Sequence, residues 1–192
     1  LDVFNRGQSD LYIVNGHESS AITLDYETFF WSYDIHFAHS VTNSVSYSYF
    51  KQAMKFTRGG AMSYGGNEIN RLLVQNPQGR THFHELGYLL GLSMPQDCRS
   101  VVAADIDLDG KQDIILTTFE IFPKLSQKVI VFKNQTPSKS WMGIHLPVHY
   151  QIPGTKISLH SQSNPNHHTT WEMIGDSFHS QSPSSHSIGI NE

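Results

Sequence analysis

Cys98 is the only cysteine, so no intramolecular disulfide forms and stability must come from a packed core, a metal or neighbouring chains. The residue reads as a buried apolar thiol, because no Cys-His signature surrounds it. Positive charge is scarce as well. Thirteen Lys and Arg stand against 17 Asp and Glu, and the formal net charge of -4 leaves no basic field for a phosphate backbone, which argues against nucleic acid as a partner. No apolar run approaches the roughly eighteen residues of a membrane helix, and the first residues lack the basic-then-apolar order of a signal peptide. A Gly-x-Ser-x-Gly elbow or other nucleophile motif is missing too, which argues against hydrolase chemistry despite abundant Ser and His. The chain opens at Leu1 and not at Met and ends at Ile188-Gly-Ile-Asn-Glu192, which reads as a processed or partial piece of something longer.

What is present is ordinary globular composition, 38% hydrophobic with 16% charged, which is enough apolar material to fold. The apolar runs are short and β-branched, as buried strands require. Asp10-Leu-Tyr-Ile-Val-Asn-Gly16 reads as a strand closed by a turn dipeptide. Asn70-Arg-Leu-Leu-Val-Gln-Asn76, the turn Pro77-Gln-Gly79 and Thr81-His-Phe-His-Glu85 read as a hairpin. Ser100 to Ala104, Asp113 to Phe119 and Lys128 to Lys133 supply three further strands. The expected fold class is therefore all-β, with residues 1–138 as blade-like repeats. Strands are also expected at Trp141 to Leu146, Thr155 to His160 and Thr169 to Ile174, making residues 139–192 a separate small β domain. Between Thr23 and Phe56 lies a dense aromatic insertion that includes Phe29, Phe30, Trp31 and Tyr33, with helix left open from Val45 to Phe56. Those rings either pack between blades or offer a platform for sugar rings.

The most informative stretch is Asp105-Ile-Asp-Leu-Asp-Gly-Lys-Gln-Asp113. Asp105, Asp107 and Asp109 hold the first, third and fifth positions of a tight loop, Gly110 the sixth and Asp113 the ninth. Calcium is a hard cation that takes six to eight oxygens at roughly 2.3–2.6 Å, and a turn at Gly110 brings the Lys111 carbonyl in beside the carboxylates. An EF-hand needs a glutamate at the twelfth position between helices, but here Leu116 stands there inside a strand-like run, so the context is strand, loop, strand with Asp113 closing the site. The alternative is a solvated acidic turn, which leaves four carboxylates in nine residues without a neutraliser. Magnesium fits less well, because its strict octahedron retains water and usually involves a phosphate.

Asp2 to Asn15 repeats the plan of Asp105 to Thr118: an Asp, a Gly five residues on, an Asp three later, then an apolar strand. In the first copy Phe4 and Arg6 replace the ligands of the third and fifth positions. Arg6 is expected to set its guanidinium where an ion would sit and to pair with Asp2 or Asp10, leaving a metal-free loop. Two copies of a hairpin-linked unit suit neighbouring blades of a β-propeller, although two partial blades cannot close a ring.

Asn70-Arg-Leu-Leu-Val-Gln-Asn76 with the following Gly79 and Phe83, Ala104-Asp-Ile-Asp-Leu-Asp-Gly-Lys-Gln-Asp-Ile-Ile115, and Gly175-Asp-Ser-Phe-His-Ser-Gln-Ser182 resemble VCBS/FG-GAP (integrin-alpha-like) propeller repeats followed by an ASPIC/UnbV domain, as in the cartilage acidic protein-like family. The resemblance implies a secreted or surface-exposed β-propeller, periplasmic if bacterial. It also implies calcium held by Asp105, Asp107, Asp109, Lys111 through its carbonyl and Asp113, and a role in adhesion or assembly more often than in catalysis. The aromatic insertion departs from that pattern, and an unpaired sheet edge would invite another chain or more of the same chain to complete it.

Other constellations are weaker. His82 and His84 share a strand face but form only two ligands, as do His36 with His39 and His167 with His168. Asn134-Gln-Thr136 is a formal glycosylation sequon that fits a surface turn. The expectation is a calcium-stabilised, non-enzymatic extracellular module acting through protein contacts, with a carbohydrate-binding propeller or a fragment of a larger secreted enzyme as alternatives.

Overall fold

The computed structural model describes residues 1–16, 19–21, 66–77, 82–137, 140–152, 154–160, 168–172 and 185–190, with isolated positions between them. Within these residues the protein is all-β, with ten strands paired antiparallel. Strands β1 (Leu11–Ile13), β2 (Arg71–Gln75) and β3 (Phe83–Glu85) form one sheet in that order. Strands β4 (Cys98–Ala104), β5 (Asp113–Glu120) and β6 (Ser126–Phe132) form a second. β7 (Trp141–His145) pairs with β10 (Ser185–Gly189), and β8 (Lys156–His160) with β9 (His168–Glu172). The aromatic insertion lies outside the described residues, apart from positions 45, 47, 48, 51 and 52, which take helical backbone.

The hairpin expected from Asn70 to Glu85 forms, with the Asn76 N–H donating to the His82 carbonyl at 2.8 Å and β2 set against β3 through Val74 and His84. β5 shows why its sequence makes a central strand. Side chains alternate between faces with period two, so Ile114, Leu116 and Thr118 are buried on one side while Ile115 and Thr117 are half-buried on the other. Its two neighbours bring Val101 opposite Leu116 and Phe132 opposite Ile114 on the buried face.

The core lies between the first two sheets. Val3, Leu72, Val74, Leu92 and Ile114 form one buried cluster, with Tyr12, Val101 and Phe132 packed against it. One face of β1–β2 therefore meets the Ile114 face of β4–β5–β6. Burying a Leu or Ile side chain contributes about 1.5–3 kcal/mol, so this cluster is the main apolar support of both sheets. A polar cluster sits beside it. The buried Asn70 amide accepts from the Asn15 N–H at 2.9 Å and donates to the Tyr12 hydroxyl at 3.2 Å and to Cys98 Sγ at 3.3 Å. Cys98 is buried there, and burial pushes its thiol pKa up, as befits an unreactive core thiol.

Candidate metal centre

The two Asp/Gly loops share one backbone plan. In the second, the Asp109 and Gly110 N–H groups donate to Asp105 Oδ1 and Oδ2 at 3.1 and 2.9 Å. In the first, the Arg6 and Gly7 N–H groups donate to Asp2 Oδ1 and Oδ2, both at 2.8 Å. The ninth-position carboxylates match as well. Asp113 accepts from the Ile106 and Asn134 N–H groups at 3.1 and 2.8 Å, and Asp10 from Val3 and Gln75 at 3.1 and 3.0 Å. Both loops turn through the left-handed region at the same two positions: Asn5 (φ 48°) and Gly7 (φ 67°), Leu108 (φ 60°) and Gly110 (φ 86°). Leu108 holds that conformation without the freedom of a glycine or the local bonding of an asparagine, so the surrounding hydrogen bonds must hold it there.

Where the loops differ is at the third and fifth positions. The Arg6 guanidinium donates to Asp10 Oδ1 at 2.9 Å and to the Gln75 carbonyl at 3.1 Å, and lies 5.5 Å from the Phe4 ring centroid. The ion pair expected of Arg6 with Asp10 is thus formed, and a permanent cation serves the first loop. In the second loop one carboxylate oxygen from each of Asp105, Asp107 and Asp109 lies within 4.8 Å of the others, the separation a single ion can bridge. Two ammonium groups neutralise this triad from outside: Lys111 Nζ lies 2.9 Å from Asp109 Oδ2, and Lys133 Nζ bonds Asp107. The Lys111 hydrogen bond holds the Asp109 carboxyl below its usual range, and the bond to Asp107 raises the Lys133 ammonium pKa.

The donor chemistry fits a hard divalent cation. A carboxylate has about four lone-pair sites, so oxygens already taken by one backbone N–H still accept a metal. Asp113 stands apart from the triad, with each of its oxygens receiving a backbone N–H, and Lys111 enters through its N–H to Asp109 Oδ1 at 3.0 Å and through its ammonium. Among the described residues no third ligand joins His82 and His84, and His84 Nε2 instead lies 3.2 Å from Asn76 Nδ2. His36, His39, His167, the aromatic residues Phe29 to Tyr33 and most of the Gly175–Ser182 signature lie outside the described residues.

Several residues around the site had no signature in the sequence. Asn134 Nδ2 donates to the Val3 carbonyl at 2.9 Å and to the Gln112 carbonyl at 3.2 Å, tying loop one to loop two. The sequon asparagine is therefore a staple between loops, with its amide hydrogens engaged. Asn5 Nδ2 donates to the Gly110 carbonyl at 3.0 Å, and Gln112 Oε1 accepts from the Asp2 N–H at 2.8 Å. β10 lies across both loops: Ser187 Oγ donates to Asp105 Oδ2 at 3.1 Å and the Gly189 N–H to Asp2 Oδ2 at 3.3 Å. Trp141 of β7 packs its indole against Gly110, where any Cβ would collide with the ring. Searches against known protein families, curated proteins and solved structures find no match for this chain.

Proposed function

We propose that the chain is a calcium-braced, non-catalytic β module of propeller type that works outside the cytoplasm through protein contacts. The observation that carries the reading is the pair of matched loops. The same backbone cage is neutralised by the Arg6 guanidinium in one copy and presents three convergent carboxylates in the other. In the first loop Arg6 pairs with the ninth-position Asp10; in the second the proposed calcium sits at the Asp105–Asp107–Asp109 triad, in place of the Lys111 and Lys133 ammonium groups. Asp105, Asp107 and Asp109 supply the ligands, and Asp113 and the Lys111 carbonyl, which stand outside the triad, would have to shift toward the ion to complete the proposed shell. VCBS/FG-GAP blades and an ASPIC/UnbV-like C-terminal segment are the family reading consistent with this arrangement.

The chemistry of the triad favours an extracellular or periplasmic setting. Asp107 is exposed, and calcium must displace Lys111 and Lys133 from their carboxylates, which weakens affinity. Such sites work with Kd on the order of 10⁻⁴–10⁻³ M, which only extracytoplasmic calcium saturates. The bound ion would fix the β4–β5 connection against β10 and act as a brace.

Terbium luminescence and thermal melting test this reading together. At calcium ten times Kd the ion stabilises the fold by about 1.4 kcal/mol, or about 3–6 °C in a domain of this size. Asp109→Asn should abolish terbium sensitisation and the calcium-dependent shift. Equal melting temperatures in calcium and in chelator for the unaltered chain would refute the brace.

A further inference from the structure

We infer that the tip of the β5–β6 hairpin docks on an anionic lipid surface. The last rung of the hairpin pairs Glu120 with Ser126, so Ile121 to Leu125 project beyond the end of the sheet. Three large apolar side chains stand in solvent there: Ile121 and Phe122 are each 44% exposed, and Leu125 is 64% exposed. Pro123 and Lys124 are exposed between them, and Lys128 is exposed just below on β6. Among the described residues neither lysine makes an ion pair. The carboxylate at the base of the loop, Glu120, is half-buried and accepts from Ser126 Oγ at 3.2 Å.

Charge is laid out along this sheet in a definite sense. The Asp105–Asp107–Asp109 triad lies ahead of β5 and the lysines lie beyond its far end, so the length of an eight-residue strand, about 25 Å, separates them. A chain of net charge -4 therefore presents one cationic end, capped by apolar side chains, to a negative surface.

Three considerations select a lipid surface as the occupant. Blades of a propeller meet through their sheet faces, which leaves the hairpin tips at the strand ends uncovered by a neighbouring blade. A specific protein interface buries about 800 Å² on each partner, far more than one short loop supplies. A bilayer interface takes up a small apolar tip one side chain at a time, and anionic headgroups strengthen binding about fivefold for each lysine held near them. Ile121-Phe-Pro-Lys-Leu125 carries both parts, apolar side chains to enter the interface and a lysine among them to meet the headgroups. This inference does not depend on calcium at the Asp triad.

Vesicle sedimentation of the full chain tests it, run in chelator so that no ion bridges the acidic triad to the headgroups. The unaltered chain should bind vesicles of phosphatidylglycerol mixed with phosphatidylcholine, bind pure phosphatidylcholine far less, and release as salt rises. Lys124→Glu/Lys128→Glu should weaken binding by about 30-fold or more, and Phe122→Ser/Leu125→Ser by about tenfold or more. Both should keep β-sheet circular dichroism and a cooperative melt. Phe122→Trp should show a blue shift of emission on mixed vesicles beyond that of the unaltered chain, because the tip enters the interface. No binding, equal binding to the two vesicle types, undiminished binding by either folded variant, or no emission shift would overturn the inference. So would a mass above one chain that disappears in Phe122→Ser/Leu125→Ser, since it assigns the tip to a second copy. Failure of the calcium reading would appear separately, as an unchanged melting temperature on chelation.

Discussion

Replacing Arg6 by Met removes the cation from the first loop while keeping an unbranched side chain to cover Phe4. The carboxylate it serves, Asp10, is 1% exposed, and burial already pushes its pKa up against the Gln75 hydrogen bond, the Arg6 charge and the Val3 hydrogen bond that hold it down. Breaking a buried pair by deleting one partner costs about 3–5 kcal/mol. Asp10 keeps its two backbone N–H donors, which retain part of its solvation, so we expect about 2–4 kcal/mol. In a chain of this size that lowers the melting temperature by about 4–16 °C. The pH dependence has a definite sign. A folded-state pKa raised above the unfolded value costs stability as pH rises, so the gap between variant and unaltered chain should widen from acid to neutral pH. The Arg6→Met/Asp10→Asn double variant should recover part of the loss, because no buried charge is left alone. Thermal melts followed by circular dichroism across this pH range are the assay. A loss below about 0.5 kcal/mol, the scale of an ordinary surface substitution, would refute the claim that Arg6 neutralises the loop.

Phe4→Asp/Arg6→Asp gives the first loop carboxylates at the same positions as the second. It should be destabilised in chelator and regain stability with calcium, with terbium titration showing a second site; Arg6→Met should show no such rescue. Asn134→Ala leaves the Gln112 carbonyl without its side-chain donor and the Val3 carbonyl with only Thr136, at a cost of about 1–3 kcal/mol, seen as a denaturation midpoint lowered at unchanged slope. Burial lowers the His186 pKa, so the unfolded chain binds its proton first and this residue's contribution to stability falls as pH drops below about 6.5. Imidazole resonances titrating below that value, and a flatter acid limb in His186→Phe, would bear this out.

How much was legible follows from which interactions are local. The strands from Ser100 to Lys133 were readable because apolar β-branched runs flank an Asp/Gly loop, and they appear as β4, β5 and β6 with shifts of a few residues at the ends. The repeat was readable because Asp2, Gly7 and Asp10 each do a local job: two carboxylates capping nearby N–H groups and one left-handed turn. β10 was not readable, since Ser185-His-Ser-Ile-Gly189 lacks an apolar alternation and forms through pairing with β7 far away in sequence. The links through Asn134, Gln112 and Ser187 were hidden for the same reason. Each joins residues brought together only by the packing of two sheets, where any amide or hydroxyl of suitable reach serves.

Positive φ at the fourth and sixth positions, together with the carboxylates at the first and ninth, builds both loops whether or not the remaining two positions carry acid. Shape and metal chemistry are therefore encoded by separate letters. A copy of the loop is free to trade Asp107-like and Asp109-like side chains for Phe4 and Arg6 without relearning how to fold; on the proposed calcium reading, that trade removes its dependence on the medium while its neighbour keeps it. On the same reading, a chain assembled from such cassettes would adjust how many of its joints respond to the surrounding ion concentration by two substitutions at a time.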